Sequence, residues 1–247
     1  MTRATFRFYA QLDRFLPRDQ RGRAFNITCA ERSTIKHMIE ALGVPHTEVA
    51  LVIANHEPAA LERMVVEGDR IALYPKFESL DITDISVSAP RPPGAPRFVA
   101  DSHLGGLARM LRMAGFDTLY DNQYADAAIA ELANAEQRIL LTRDRELLKR
   151  RAVAHGCFVH ALKPAVQLQE LYERLDLASA ARPFTLCMDC NRPLRSIPKQ
   201  EVLDQLPQRV RERHEHFLTC DQCRRVFWEG SHWRAMRQVL EGLSARQ

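Results

Sequence analysis

Two C-x-x-C pairs, CMDC and CDQC, constrain the fold of this chain more than any other feature. They lie near the end of the sequence with 29 residues between them. Four thiolates complete a closed tetrahedral Zn²⁺ shell, so the pairs predict a structural zinc ribbon. Thiol redox exchange and a catalytic zinc are the alternatives, and a complete set of four ligands disfavours both. The predicted zinc ligands are Cys187, Cys190, Cys220 and Cys223.

The spacer between the two pairs is longer than is common for a ribbon. An inserted helix would fill it, with an apolar side formed by Val202, Leu203, Leu206 and Val210. His214 and His216 lie close to the second pair, which leaves a mixed Cys/His site as an alternative.

The composition is that of a folded protein. Its C-x-x-C pairs fit metal ligands in a reducing compartment better than a disulfide framework. Of the 247 residues, 46% are hydrophobic and 27% are charged, which excludes collagen-like, low-complexity and disordered chains. No apolar run approaches the roughly 20 residues that cross a bilayer, and the first residues carry charges where a signal peptide is apolar. We therefore expect a cytoplasmic protein with no membrane partner. Its oligomeric state is not predicted.

A Pro-rich stretch, SAPRPPGAPR, divides the sequence at 88–97. Such a stretch neither pairs into a sheet nor continues a helix, so we expect a semi-rigid linker at 88–96. The linker separates an N-terminal domain at 1–87 from a central domain at 97–180. The zinc ribbon and a C-terminal helix follow at 181–247.

The N-terminal domain shows a β-β-α-β-β order of alternating and helical patterns. This order, with ALVIANHEPA and VEGDRIALYP, resembles the ubiquitin-like β-grasp of small sulfur-carrier proteins over residues 1 to about 85. The carriers end in an activated Gly-Gly, whereas here PKFESLDITD continues into the linker. We therefore expect a module for packing or for a protein partner rather than for sulfur transfer.

The central domain alternates short β-rich runs with helical patterns, which favours an α/β fold with a parallel sheet flanked by helices. Asp101 follows the run FVA, Asp121 follows DTLY, and Asp144 stands two residues after ILLT. Asp126 opens a predicted helix. Because ligands bind beyond the carboxyl ends of parallel strands, these acids are candidate site residues.

Carboxylates held close together repel one another, and a divalent cation relieves that repulsion. Mg²⁺ or Mn²⁺ bound by such acids would activate water for phosphodiester cleavage. The hydroxyl of Thr142 is expected to orient a carboxylate or a bound water. The alternative is that Asp101 and Asp126 are helix N-caps, whose side chains accept backbone N–H groups.

The stretch FVADSHLGGLARMLRMAGFDTLYDNQYADAAIAELANAEQRILLTRDRELLKRR resembles the Mut7-C RNase domain, a branch of the PIN-like nuclease fold. The resemblance covers about 97–228, and the β-grasp in front resembles the ubiquitin-like module joined to this family. It implies a metal-dependent ribonuclease. The metal-binding catalytic residues that it implies are Asp101, Asp126 and Asp144. A fourth acid is unassigned, with Asp121 and Glu146 as candidates.

Basic residues supply candidate RNA contacts. They are Arg109, Arg143, Arg145 and Lys149. The net charge of +4 comes entirely from 181–247, which has 12 basic and 8 acidic residues. This leaves a second hypothesis open, a non-catalytic RNA- or tRNA-binding adaptor that uses the ribbon for RNA and the β-grasp for a protein partner.

Overall fold

The computed structural model describes residues 1–76, 83–87 and 94–244. Most of the predicted linker lies outside the described residues. The strands are β1 (Thr2–Phe8), β2 (Phe25–Cys29), β3 (Leu51–Ala54), β4 (Glu57–Pro58), β5 (Arg70–Tyr74), β6 (Phe98–Ala100), β7 (Thr118–Tyr120), β8 (Ile139–Thr142), β9 (Gly156–Phe158), β10 (Leu194–Ile197), β11 (Phe217–Cys220) and β12 (Val226–Trp228). The α-helices are α1 (Ile35–Ala41), α2 (Gly105–Met113), α3 (Asp126–Ala135), α4 (Arg145–Leu148), α5 (Pro164–Leu175), α6 (Lys199–Val202), α7 (Gln208–Arg213) and α8 (Ser231–Ser244).

The chain divides into two compact units, each built from two segments. The grasp unit consists of Met1–Pro92 and Tyr124–Phe158. The ribbon unit consists of Pro93–Gln123 and Val159–Gln247. The grasp unit therefore contains the β-grasp and one part of the central domain. The ribbon unit contains the ribbon and the other part.

The N-terminal module of the grasp unit is a five-stranded sheet in the order β2-β1-β5-β3-β4. Strand β1 pairs antiparallel with β2 and parallel with β5, while β5 pairs antiparallel with β3. Phe6, Phe8, Ile39 and Leu73 are fully buried in its core. Helix α1 begins where the Thr34 side chain accepts a hydrogen bond from the His37 amide. The predicted β-β-α-β-β order is found, with one additional short strand, β4, that the sequence did not predict.

The second segment of the grasp unit contains α3, β8, α4 and β9. Strands β8 and β9 pair in parallel, with Leu141 opposite Cys157. Helices α3 and α4 pack on β8, and Ile129, Leu140 and Leu147 are buried among them. The short helix α4 is thereby fixed directly after the carboxyl end of β8.

The first segment of the ribbon unit places β6 parallel to β7, and α2 packs on both strands and on α5. Apolar residues of α2 recur on one side of the helix, so Leu107 and Leu111 are fully buried. Phe116 lies edge-on to Phe98 at 5.8 Å between ring centroids and to Tyr172 at 6.3 Å. These rings join the two strands to α5.

The ribbon itself is an antiparallel sheet in the order β10-β11-β12. Val202, Leu206 and Phe217 form a small core against which Trp228 packs. The single inserted helix predicted for the spacer is wrong, because the segment forms two short helices, α6 and α7. Pro207 stands between them as the N-cap of α7, and proline cannot donate the N–H that a continuous helix needs at that point. Leu203, which was expected on the buried side, is exposed.

The predicted fold class is confirmed: a β-grasp module, parallel strand pairs flanked by helices, and a C-terminal ribbon with four clustered cysteines. Among the described residues, no helix combines the length and the apolar character needed to cross a membrane.

Candidate functional site

The four predicted zinc ligands come together in the ribbon unit. Their sulfur atoms all lie within 4.8 Å of one another. The cluster consists of Cys187, Cys190, Cys220 and Cys223. The first and third of these are fully buried, so a cation bound here would be shielded from water on the protein side.

The two pairs sit in matching turns. The amide of Asn191 donates to the carbonyl of Cys187 at 2.9 Å, and the amide of Arg224 donates to that of Cys220 at 2.7 Å. Both donors have a left-handed backbone, with φ of 57° and 58°. Asparagine adopts this conformation more readily than most residues, so its place after the first pair suits the turn. We call these turns the first and second knuckle.

Without a cation, the surroundings of Cys187 and Cys190 favour the neutral thiol over the thiolate. Burial raises the pKa of the Cys187 thiol to about 11 and that of Cys190 to about 12. Burial also acts to raise the pKa of Cys220, but hydrogen bonds from the backbone of Cys223 and Gln222 outweigh it and lower that pKa. Four sulfur donors within 4.8 Å of one another, with no oxygen donor among them, fit zinc better than magnesium or calcium.

A buried arginine docks the first knuckle onto α2. Arg112 donates from Nη1 to the carbonyls of Met188 at 3.0 Å and Asp189 at 2.8 Å, the two residues inside the first C-x-x-C pair. Its Nε donates to the carbonyl of Thr118, the first residue of β7, at 2.8 Å. Burial lowers the pKa of Arg112, and the nearby Cys187 and Cys190 act to raise it. A single side chain thus joins a helix, a strand and a metal-binding turn.

Side chains of the first knuckle make further contacts with the same elements. Asn191 donates to Asp117 Oδ1 at 2.6 Å and accepts the Thr118 amide at 3.0 Å. Asp189 forms ion pairs with Arg109 of α2 and with Arg225, which follows the second knuckle. Sequence reasoning missed the roles of Asp189 and Asn191, because the C-x-x-C spacing places no requirement on the residues inside or directly after the pair.

Replacing Arg112 with alanine is expected to destabilise the protein by about 3 kcal/mol, because buried carbonyls lose their donor. It should also speed zinc loss, since two of those carbonyls belong to the first knuckle. Denaturant unfolding and the rate of zinc transfer to a colorimetric chelator measure both effects. The matched control is Arg109→Ala on the same helix, which removes an exposed ion pair and should cost under about 1 kcal/mol. Equal costs for the two variants would contradict this role of Arg112.

Two of the predicted acids lie in the ribbon unit, at one edge of the β6–β7 pair. Ala100 is paired with Tyr120, and Asp101 and Asp121 follow these residues directly. Asp101 caps a 3₁₀ turn by accepting the Ser102 amide at Oδ1, and Asp121 accepts the Gln123 amide at 2.9 Å. The N-cap alternative thus holds for Asp101.

The other predicted acids lie in the grasp unit. Asp144 caps α4 by accepting the Glu146 amide at 2.8 Å, while its own amide donates to Thr142 Oγ1 at 2.9 Å. Thr142 is fully buried, and its hydroxyl holds the backbone of Asp144. Its predicted role of orienting a carboxylate or a bound water stays a prediction. Asp126 is the first residue of α3, with Ala125 at the N-cap position, and pairs with Arg150 at 3.5 Å.

The predicted RNA-contact residues have different side-chain partners in the structure. Arg109 is more than half exposed and pairs with Asp189. Lys149 pairs with Glu146 at 2.6 Å on the surface of α4. The guanidinium of Arg145 instead contacts the β-grasp, donating to the Phe15 carbonyl at 3.0 Å. Sequence analysis did not predict this intramolecular role.

Comparison with known families decides where the chain belongs. The model of the Mut7-C RNAse domain matches residues 96–240, which is more than half of the sequence. This chain belongs to the Mut7-C RNAse domain family. A second model, Mut7-C ubiquitin, matches residues 1–81 of this Mut7-C protein. Both resemblances noted in the sequence are confirmed, in the same order along the chain.

Two solved structures match part of the Mut7-C protein. The small archaeal modifier protein 1 of H. volcanii is 20% identical, with a TM-score of 0.26, and the match covers 31% of this chain and all of that one. A second structure of SAMP1, from Haloferax volcanii, is 19% identical with a TM-score of 0.25 and covers 32% of this chain and 99% of that one. A search of the curated proteins found no match.

Proposed function

We propose that this Mut7-C protein is a metal-dependent ribonuclease that hydrolyses RNA phosphodiester bonds. The observation that carries the proposal is the family match over 96–240, which contains all three acids proposed as catalytic. Local structure supports it, because Asp101 and Asp144 each stand just beyond the carboxyl end of a parallel strand and Asp126 opens a helix.

The donor set fits a hard cation. Carboxylate oxygens of Asp101, Asp126 and Asp144 are the ligands that Mg²⁺ and Mn²⁺ prefer, and these acids lie at half-buried or exposed positions where a phosphate can approach. Such a metal, when bound, lowers the pKa of a bound water and neutralises charge on the phosphate. Thr142 holds Asp144 in place from the buried side. Asp121 and Glu146 are the candidates for a fourth acid.

The proposed RNA contacts are the basic side chains close to these acids in the sequence. Arg143 flanks Asp144 directly, and Lys149 closes the single turn of α4 that Asp144 opens. Arg109 lies on α2, which follows Asp101. Guanidinium and ammonium groups bind phosphate oxygens through charge-assisted hydrogen bonds. For the four-cysteine cluster we propose a Zn²⁺ with a structural role, because four sulfur ligands leave no position for a reacting water.

A non-catalytic RNA-binding adaptor is the second candidate. The excess of basic residues in 181–247 favours it, since Arg192, Arg209, Arg213 and Arg224 of the ribbon are all exposed. In that case the ribbon binds RNA and the acids serve only as helix caps.

Single substitutions separate the two functions. Asp101→Asn, Asp126→Asn and Asp144→Asn are each expected to lower the cleavage rate by about a hundredfold or more while the Kd for RNA changes little, because asparagine keeps the shape but loses the charge that binds the metal. Asp204→Asn, at an exposed acid of the ribbon, is the matched control and should cleave at the wild-type rate. Asp121→Asn and Glu146→Gln test the two candidates for the fourth acid. The substitution that lowers the cleavage rate identifies it.

Cleavage and RNA affinity are measured on the same preparations, with the thermal midpoint as a check of folding. Cleavage that survives in all three aspartate variants would contradict the proposed mechanism. RNA binding by a wild-type protein that cleaves no RNA would favour the adaptor.

A further inference from the structure

The β-grasp module is joined to the helix that carries Asp144 by contacts inside the grasp unit. The carboxylate of Glu48, which is only 5% exposed, accepts a hydrogen bond from the amide of Phe158 in β9 at 2.6 Å. A buried carboxylate without a donor is costly, so this contact fixes the end of β9 against the β-grasp.

Arg145 makes the second contact. Its Nη1 donates to the Phe15 carbonyl at 3.0 Å, and its guanidinium lies 5.1 Å from the centroid of the Phe15 ring and 5.7 Å from that of Phe158. The two rings themselves meet edge-on at 5.2 Å. A guanidinium over both aromatic rings adds cation–π attraction to the hydrogen bond, a combination that lysine cannot reproduce.

Neighbouring residues complete the same contact. His46 hydrogen-bonds to Glu40 and to the backbone of Val153. Burial lowers the pKa of His46, with Lys36 acting in the same direction and the hydrogen bonds opposing it. A side chain at Gly156 would come within 3.2 Å of Thr47 Oγ1, so β9 lies close against this part of the β-grasp.

Arg145 links this contact between β9 and the β-grasp to the candidate catalytic acid Asp144. Arg145 is the first residue of α4 and directly follows Asp144, which caps the helix. Helix α4 has a single turn, so its own hydrogen bonds are too few to hold it. Clamping Arg145 therefore fixes the backbone that sets the direction of the Asp144 carboxylate, together with the hydrogen bond from the Asp144 amide to Thr142.

We propose that Arg145 is a positioning residue, through which the β-grasp module holds Asp144 in the geometry that metal binding requires. Its consequence for cleavage rests on the proposed function. Arg145 then acts on the protein rather than on RNA phosphates, and the β-grasp is an integral support of the site rather than a tethered recruitment module.

A double-mutant cycle tests this coupling. Arg145→Gln removes the stacked charge, Phe15→Leu removes a ring on the β-grasp side, and the double variant removes both. Amide hydrogen exchange of residues 144–149 is the readout, because it follows the first turn of α4 without requiring activity. Arg145→Gln is expected to speed exchange by about tenfold. The effect of the double variant should be smaller than the sum of the two single effects, since part of the contribution of the Phe15 ring acts through the Arg145 side chain.

The matched control is Arg18→Gln, an exposed arginine of the β-grasp, which should leave exchange at 144–149 unchanged. Exchange of the β1 amides shows whether Phe15→Leu unfolds the β-grasp as a whole. Unchanged exchange in Arg145→Gln, or additive effects in the double variant, would overturn the proposal.

Cleavage assays on the same variants separate positioning from RNA contact. Positioning predicts that Arg145→Gln and Phe15→Leu both lower kcat with little change in KM, whereas a phosphate contact predicts a higher KM for Arg145→Gln alone. The latter result would overturn the proposal. If the wild-type protein cleaves no RNA, the proposed function fails, and the exchange measurements still decide whether Arg145 holds α4.

Discussion

Cys220→Ser is expected to lose the Zn²⁺ that we propose for the four-cysteine cluster, and to unfold the ribbon. Cys220 is fully buried, and a serine in its place leaves three thiolates and a weak oxygen ligand. Structural zinc contributes about 10–16 kcal/mol in ribbon-sized peptides, whereas the ribbon core consists of only a few buried side chains. The loss should spread to α2, because Arg112 and Asn191 tie the first knuckle to that helix and to β7.

Zinc content per chain and the fluorescence of Trp228, which packs on the ribbon core, measure this effect. Cys157→Ser is the matched control, because Cys157 is buried in β9 outside the cluster. It should keep one zinc per chain and native fluorescence, at a modest cost in stability. Retention of one zinc by Cys220→Ser would contradict the assignment of the four ligands.

A chain that begins at residue 97 is expected to be unstable and to gain no activity. Removing the β-grasp exposes Phe158 and Val153, leaves the Phe158 amide without Glu48, and frees Arg145 from Phe15. Lost apolar burial and a lost buried hydrogen bond each cost about 1–3 kcal/mol, and together they are a large fraction of the roughly 5–15 kcal/mol that stabilises a domain. The truncated chain should therefore aggregate or unfold locally at α4 and β9.

The control keeps both parts and breaks only their covalent connection. A protease site inserted within 88–93 allows the purified chain to be cut, and the two pieces should stay associated in size-exclusion chromatography. A soluble 97–247 chain with wild-type thermal midpoint and cleavage would contradict this account. Faster cleavage by that chain would instead mean that the β-grasp inhibits the site.

The sequence predicted those elements whose pattern is local. Strand β8 was expected at Ile139–Thr142 and is found there, because its buried run is bounded by charged residues on both sides. The cysteine cluster was equally accessible, since the C-x-x-C spacing alone forms each knuckle. The strand ends that precede Asp101 and Asp144 could be read from the same patterns, whereas the role of these acids in metal binding stays a prediction.

The contacts that join the modules could not be predicted from the sequence pattern. Glu48 and Phe158 are 110 residues apart, and Arg112 meets Asp189 across 77 residues. From sequence alone, an isolated glutamate or arginine is assigned to the solvent-exposed surface. Only the tertiary structure shows that these side chains are buried and bonded. The break between α6 and α7 was also missed, although Pro207 was a visible signal for it.

Cleavage of end-labelled RNA with and without added metal tests the central claim most directly. Chelators would also strip the ribbon, so metal-free protein should be prepared by gel filtration and its zinc content measured before Mg²⁺ or Mn²⁺ is added back. Wild-type protein is compared with Asp101→Asn/Asp144→Asn, purified in parallel. The account predicts cleavage by the wild type only when metal is added, and none by the double variant with zinc retained. Equal cleavage by both proteins, or RNA binding without cleavage by the wild type in either metal, would contradict it.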